Sequence, residues 1–245
     1  MSYRDAPSRR SWSNTVFYLL GGEGDHGPVA TVESVELTDG SVRNLGYLPT
    51  PRRALAALEI EGLIFALGGT AVNDPENGAR QSLVEVFDVA AKKWMFAPTM
   101  PYPKEVPAVR EGRYIYALGG YNGAGKAEKT CARYDLTTAK WERLPDTPFP
   151  SSGYAVAEIG GAIVCFGDYD EQDQVTAYLP GQQRWVRLQI AFRPRRHATA
   201  CVANDTVYVI GGNHSGDGSG GSLRVIDRFR VADLKAAIVR ALPQK

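Results

Sequence analysis

Apolar residues in this chain gather in short runs that end in paired glycines. Leu63-Ile64-Phe65-Ala66-Leu67-Gly68-Gly69 and Tyr114-Ile115-Tyr116-Ala117-Leu118-Gly119-Gly120 are the clearest copies. Val16 to Gly22 and Val207 to Gly212 repeat the pattern, and Ala162 to Asp168 carries a degenerate version with Gly167-Asp168. The first glycines stand at 21, 68, 119, 167 and 211. A period of this length built from short strands implies a propeller or a related array. The runs lack polar alternation, so each is expected to be a strand buried on both faces, between neighbouring units.

More features recur in step. After each glycine pair comes a polar loop and then a second strand, best seen in Leu83-Val84-Glu85-Val86-Phe87-Asp88 and echoed by Cys131 to Asp135 and Val175 to Tyr178. A tight turn leads to Trp94, Trp141 and Trp185, each opening a strand that should lie outermost. A proline-rich link (Pro51-Arg52-Arg53, Pro103-Lys104-Glu105, Pro150-Ser151-Ser152, Pro194-Arg195-Arg196) then leads into the next unit. The residue after that proline always precedes the next first glycine by 15 or 16 positions. The pattern predicts an all-β chain: one propeller domain over residues 1–245, of five four-stranded blades in a closed ring, with glycine slots at 21-22, 68-69, 119-120, 167-168 and 211-212. Arg9-Arg10-Ser11-Trp12-Ser13 fits a short inner strand for the first blade. The tail is ambiguous. Leu234, Ile238 and Leu242 have helical spacing, yet an outer strand there would cover an otherwise exposed edge, and the strand is preferred.

Composition narrows the function classes. With 28 Lys+Arg against 27 Asp+Glu, the chain has no global attraction for nucleic acid or a membrane surface. Three cysteines without metal-ligand spacing suggest a reducing compartment, hence the cytoplasm. No leader or membrane-spanning stretch is read in the polar, arginine-rich start. Phosphate-loop, HExxH and GxSxG motifs are absent, and no metal or cofactor is expected.

The paired glycines, the aromatic-Asp pairs Phe87-Asp88 and Tyr134-Asp135, and a tryptophan at the same distance after each Asp (Trp94, Trp141) resemble the Kelch repeat. The resemblance implies a Kelch-like propeller in which the proline links and the loops after the glycines emerge on one face. Arg52, Arg53, Lys104, Ser151, Ser152, Arg195, Arg196 and His197 would then surround the channel mouth, with Arg52 and Arg195 reaching over its entrance. By resemblance to the Kelch domains of ubiquitin-ligase adaptors, Tyr121, Asn122, Tyr169, Asn213 and His214, with Glu23 and Thr70, would join them. Arginine presents a rigid fork suited to carboxylate and phosphate. The expected function is therefore a binding module that captures an acidic peptide or small anionic ligand at an arginine-lined mouth. The alternative is an enzyme of mutarotase or cyclase type using the same mouth, although no nucleophile–base pair is visible. His26 and His214 lie in loops of the first and last blades, and solvated loop histidines are the expected reading.

Overall fold

The computed structural model describes residues 16–71, 81–122, 124–214 and 221–243. Five antiparallel sheets follow one another along the chain as the blades of a propeller. Blades 2, 3 and 4 have four strands each, in simple meander order from the inner strand outward. In blade 2 these are Ala56–Ile60, Leu63–Leu67, Val84–Asp88 and Lys93–Ala97. Blade 3 contains Ala108–Glu111, Tyr114–Leu118, Cys131–Asp135 and Lys140–Leu144, and blade 4 contains Ala155–Glu158, Ile163–Phe166, Val175–Leu179 and Arg184–Arg187. Blade 1 shows Val16–Leu20, Thr31–Glu36 and Val42–Tyr47. The inner strand expected at Arg9 to Ser13 lies outside the described residues. Blade 5 shows Thr199–Ala203, Thr206–Ile210 and Ile226–Arg230.

The register repeats as faithfully as the sequence. The inner strand begins opposite the residue before the first glycine in blades 2, 4 and 5 (Ala56↔Leu67, Ala155↔Phe166 and Thr199↔Ile210) and one residue earlier in blade 3 (Ala108↔Ala117). The second glycine then ties one blade to the next. Its N–H donates to the carbonyl of the following link, from Gly22 to Arg52 (2.9 Å), Gly69 to Lys104 (3.1 Å) and Gly120 to Ser151 (2.8 Å).

The apolar second strands are buried on both faces in blades 2 to 4, as Phe65, Ala66, Tyr116, Ala117, Val164 and Cys165 show. The core is correspondingly divided between blades. Phe65, Leu67, Val84 and Val86 of blade 2 pack on Val106, Ile115, Ala117 and Tyr134 of blade 3, and similar clusters join the other consecutive blades. The expected closure of the ring is not seen among the described residues. Phe17 and Leu19 of blade 1 and Ile210 and Ile226 of blade 5 are exposed by 55, 45, 37 and 57 %. No apolar cluster joins these two blades among the described residues.

The tryptophans span the blade junctions, but they are half-buried rather than deeply buried. The Trp141 indole N–H donates to the Pro98 carbonyl at the end of the preceding blade (2.8 Å), and its ring packs against Tyr134. Trp141→Ala is expected to cost about 2–4 kcal/mol in a denaturant titration, somewhat below a fully buried tryptophan. Trp141→Phe should lose only about 1 kcal/mol, the share of the hydrogen bond. A loss near zero for both would show that the ring does not brace the junction.

The tail corrects the preference for a strand. Val231–Ala241 is an α-helix directly continuous with the last strand of blade 5. Its helical spacing prevails because Leu234, Ala237 and Ile238 fall on one face and become buried against the core of blades 4 and 5. The helix lies against Arg184–Arg187 and Ile226–Arg230.

Candidate functional site at the channel mouth

Each link and each loop after the glycines meet in a small secondary pairing above the blade. Arg52–Arg53 pairs with Thr70–Ala71, and Lys104–Glu105 with Tyr121–Asn122. The Tyr169 N–H donates to the Ser152 carbonyl (2.8 Å), and Arg196 exchanges two backbone hydrogen bonds with Asn213 (2.9 Å each). Successive side chains on an extended backbone point to opposite sides, so the two residues of a link have different fates.

The first residue turns into the blade, which corrects the expected placement of Arg52 and Arg195 over the entrance. Both are fully buried. Arg52 Nη1 meets Glu85 Oε2 at 2.5 Å, and its other Nη donates to the Ala66 carbonyl. Arg195 pairs with Asp227 and donates to the Gly211 carbonyl. Glu85 and Asp227 occupy the same slot, the second residue of the third strand. A buried guanidinium needs such a partner, since removing it from water without one is expensive. Where the slot holds no acid, the link changes too. In blade 3, whose link carries Lys104, the slot holds Ala132, and in blade 4, whose link carries Ser151, it holds Thr176. These four link residues build the blades rather than the mouth.

Lys104 is the exception that carries charge without a contacting carboxylate among the described residues. It is buried, and its ammonium donates to the Thr130 carbonyl (2.7 Å) and hydroxyl (3.3 Å). Burial pushes its pKa down to about 8, although Glu128 nearby favours the charge. The lowered folded pKa means that the unfolded chain binds more protons between about pH 8 and the ordinary lysine value. Stability should therefore rise with pH across that window, by up to about 3 kcal/mol if the buried state keeps this pKa. In paired titrations, the difference between Lys104→Met and the wild type should shrink over this range. A difference that does not vary with pH would show that Lys104 titrates normally.

The second residues face the mouth. Glu105 and Ser152 line a pocket of about 490 Å³ together with Ala54, Leu55, Ala56, Val106, Pro107, Tyr121, Gly153, Tyr154, Tyr169 and His197. Four blades contribute, so the pocket sits over the channel. Tyr121 and Tyr169 approach at 6.3 Å between ring centroids, and Tyr169 and His197 at 5.8 Å. Arg196 stacks its guanidinium 3.9 Å from the Tyr169 ring and donates to Asn213 Oδ1 (3.3 Å). Arg53 is half-exposed and pairs with Glu23 of blade 1 at 2.9 Å. Burial and the neighbouring Arg196 lower the His197 pKa, which favours a neutral ring at pH 7.

Of the expected site residues, the structure thus brings Tyr121, Ser152, Tyr169 and His197 into one pocket, with Arg196 against it. Asn122 is instead tied to Glu128 (2.6 Å), and the His214 ring contacts Gln172 (2.8 Å). Ser151 of the link instead bridges to Glu128 in the loop of blade 3. Asp168 stands where the second glycine would be, and its carboxylate accepts the Ser152 N–H (2.9 Å) and the Asp170 N–H (3.1 Å). These two bonds anchor the start of the loop that carries Tyr169. Glu105, Tyr154 and the apolar wall of Leu55, Val106 and Pro107 were not foreseen. Their signal was available, because each lies one to three residues beyond a recognised link residue. Among the described residues, no cluster of His, Cys, Asp and Glu could hold a metal ion, and no helix is long and apolar enough to cross a membrane.

The profile of the Kelch motif matches residues 51–101 and 112–148. Kelch-like protein 38 of Rattus norvegicus is 22% identical over 211 residues, covering 84% of this chain and 36% of that protein. Kelch-like protein terF of Aspergillus terreus is 28% identical over 191 residues, covering 68% of this chain and 40% of its own. Kelch repeat and BTB domain-containing protein 13 of Homo sapiens is 27% identical, covering 74% and 42%. The chain therefore spans about two fifths of the length of these relatives.

Proposed function

We propose that this chain, a Kelch-repeat β-propeller, is an interaction module that captures an acidic segment of a protein partner at the channel mouth. The observation that carries this reading is Arg196. It is held rigidly over Tyr169 at the rim, and among the described residues it has no carboxylate partner. Arg53 lies beside Ala54 of the same pocket, with its charge shared by an exposed Glu23 that a ligand carboxylate could displace. Desolvated on one side by an aromatic ring, such a cation favours an anion. The interaction role is supported by the Kelch relatives. A small anionic molecule would use the same groups. The free cysteines suit a reducing compartment, and we place the protein in the cytoplasm.

A peptide-display selection on the immobilised protein tests this. Enriched sequences should be rich in Asp and Glu, and their binding should weaken as salt rises. The Arg53→Gln, Arg196→Gln double variant should bind them about tenfold less well. Enrichment of basic or purely apolar sequences would overturn the reading. An enzyme of isomerase or cyclase type is the second reading, favoured by His197 and Glu105 lining one pocket with two tyrosines at its rim. Exchange of a carbon-bound proton of a bound acidic sugar, lost in His197→Gln, would bring it forward.

A further inference from the structure

Among the described residues, blade 5 has no counterpart of the fourth strand present in blades 2, 3 and 4. Its outermost strand, Ile226–Arg230, is therefore an edge. The Gly211 N–H donates to the Val225 carbonyl (3.0 Å) and the Val231 N–H to the Asp205 carbonyl (2.8 Å), which fixes the phase of the ladder. Asp227 and Phe229 bond to the neighbouring strand. The backbone N–H groups of Ile226, Arg228 and Arg230 point to the open side, where no described residue accepts them. The helix that follows runs elsewhere, since its Lys235 ammonium lies against Gly160 in the turn between the first two strands of blade 4. A row of unpaired amides is a template for a further strand.

The edge keeps the receiving half of contacts that the complete blades make. In those blades the fourth residue of the third strand is aromatic and lies opposite the tryptophan of the outer strand. Phe87 meets Trp94, Tyr134 meets Trp141 and Tyr178 meets Trp185, at 5.0, 5.3 and 5.1 Å between centroids. Phe229 is the fourth residue of its strand, and it borders a groove of about 540 Å³ with Phe192, Arg193 and Arg228. The third residue repeats a second contact. In blade 3 it is Arg133, paired at 2.8 Å with Glu142, which directly follows Trp141. In blade 5 it is Arg228, exposed and without a carboxylate partner among the described residues. The first residue, Cys131 in blade 3, lies opposite Leu144. In blade 5 it is Ile226, 57 % exposed.

Charge selects the occupant. A second copy laid edge to edge would bring Arg228 and Arg230 against their own counterparts, which like charge disfavours. Residues 1–15 carry Arg4, Arg9 and Arg10 against Asp5 alone, and Arg9 to Ser13 are already expected as the inner strand of blade 1. We propose that an extended segment of a protein partner completes blade 5, added antiparallel along Ile226–Arg230. It reads aromatic, acidic, any residue, aliphatic. The aromatic ring fills the groove against Phe229, the acid pairs with Arg228 and the aliphatic side chain covers Ile226. This surface is separate from the channel mouth.

The probe is the labelled peptide acetyl-Thr-Lys-Trp-Glu-Thr-Leu-Thr-amide, followed by fluorescence anisotropy and by NMR amide exchange. It should bind and slow exchange at the amides of Ile226, Arg228 and Arg230. Alanine in place of its tryptophan should weaken binding about tenfold. Lysine in place of its glutamate should weaken binding several-fold, and Arg228→Glu should reverse that preference. Binding should be unchanged in the Arg53→Gln, Arg196→Gln variant, so this site and the mouth fail separately. No binding at millimolar peptide, unaltered exchange at the three amides, or equal binding of the glutamate and lysine peptides to the wild type would overturn the proposal. Tighter binding of a peptide spanning residues 1–15 would give the groove to the chain's own start instead. Slow exchange of the three amides only in a concentration-dependent dimer would give it to a second copy. Either result would overturn the partner.

Discussion

Arg52→Met should destabilise the protein by about 3–5 kcal/mol in a denaturant titration, because it strands Glu85 in the interior of blade 2. Arg52 and Glu85 are both fully buried, and the carboxylate otherwise meets only the Thr50 hydroxyl (2.8 Å) among its described partners. Removing the cation leaves an uncompensated charge where water cannot reach. The paired replacement Arg52→Met, Glu85→Leu should recover most of the loss, since it removes both desolvation penalties together. If the double variant is as unstable as the single one, the pair contributes by packing and hydrogen bonding rather than by charge compensation. A single variant within about 0.5 kcal/mol of wild type would place Arg52 in solvent, at the mouth, and would contradict the division of roles between the two link residues.

Gly68→Ala should cost on the order of 3 kcal/mol. Gly68 has φ +58°, and a Cβ there would collide with the backbone carbonyl of Lys104 in the next blade and with the Met100 side chain. The carbonyl cannot move cheaply, since it also accepts the Gly69 N–H that joins the blades. Gly40 provides the control: its φ is +72°, but nothing lies within 4 Å of the added carbon. Gly40→Ala should therefore show the backbone strain alone, about 1 kcal/mol. The excess at Gly68 measures the closeness of blade packing. Equal losses at the two positions would mean that the blades can separate to accept a methyl group.

Much of the architecture was legible because the repeat makes one physical demand many times. Each second strand must be apolar on both faces, and each blade junction needs a backbone approach that only glycine permits. Those demands leave the same marks at Phe65, Tyr116 and Val164 and at Gly68 and Gly119. The ends were harder to read because no neighbour repeats the demand there. The spacing of Leu234 and Ile238 signalled a helix, but the need to cover an edge argued for a strand; packing against blades 4 and 5 decided for the helix. At the site, the link arginines were found but their direction was not. The missing signal was the match between link and third strand: Arg52 with Glu85 and Arg195 with Asp227, against Lys104 with Ala132. Opposite charges in corresponding slots of one blade indicate a pair inside the fold, whereas Arg196 and His197, with no such counterpart, were left for the mouth. Ser152 could be named from its position, but only the folded chain shows that Asp168 takes its N–H.

Hydrogen exchange on the protein with and without a display-selected acidic peptide tests the central claim most directly, because it reads where the ligand sits. Protection should appear at the link and loop segments around Arg53–Ala56, Glu105–Val106, Tyr121, Ser152–Tyr154, Tyr169 and Arg196–His197, with the outer strands unchanged. Protection confined to the outer strands, or to the exposed faces of blades 1 and 5 around Phe17 and Ile226, would place the binding surface elsewhere and contradict the account.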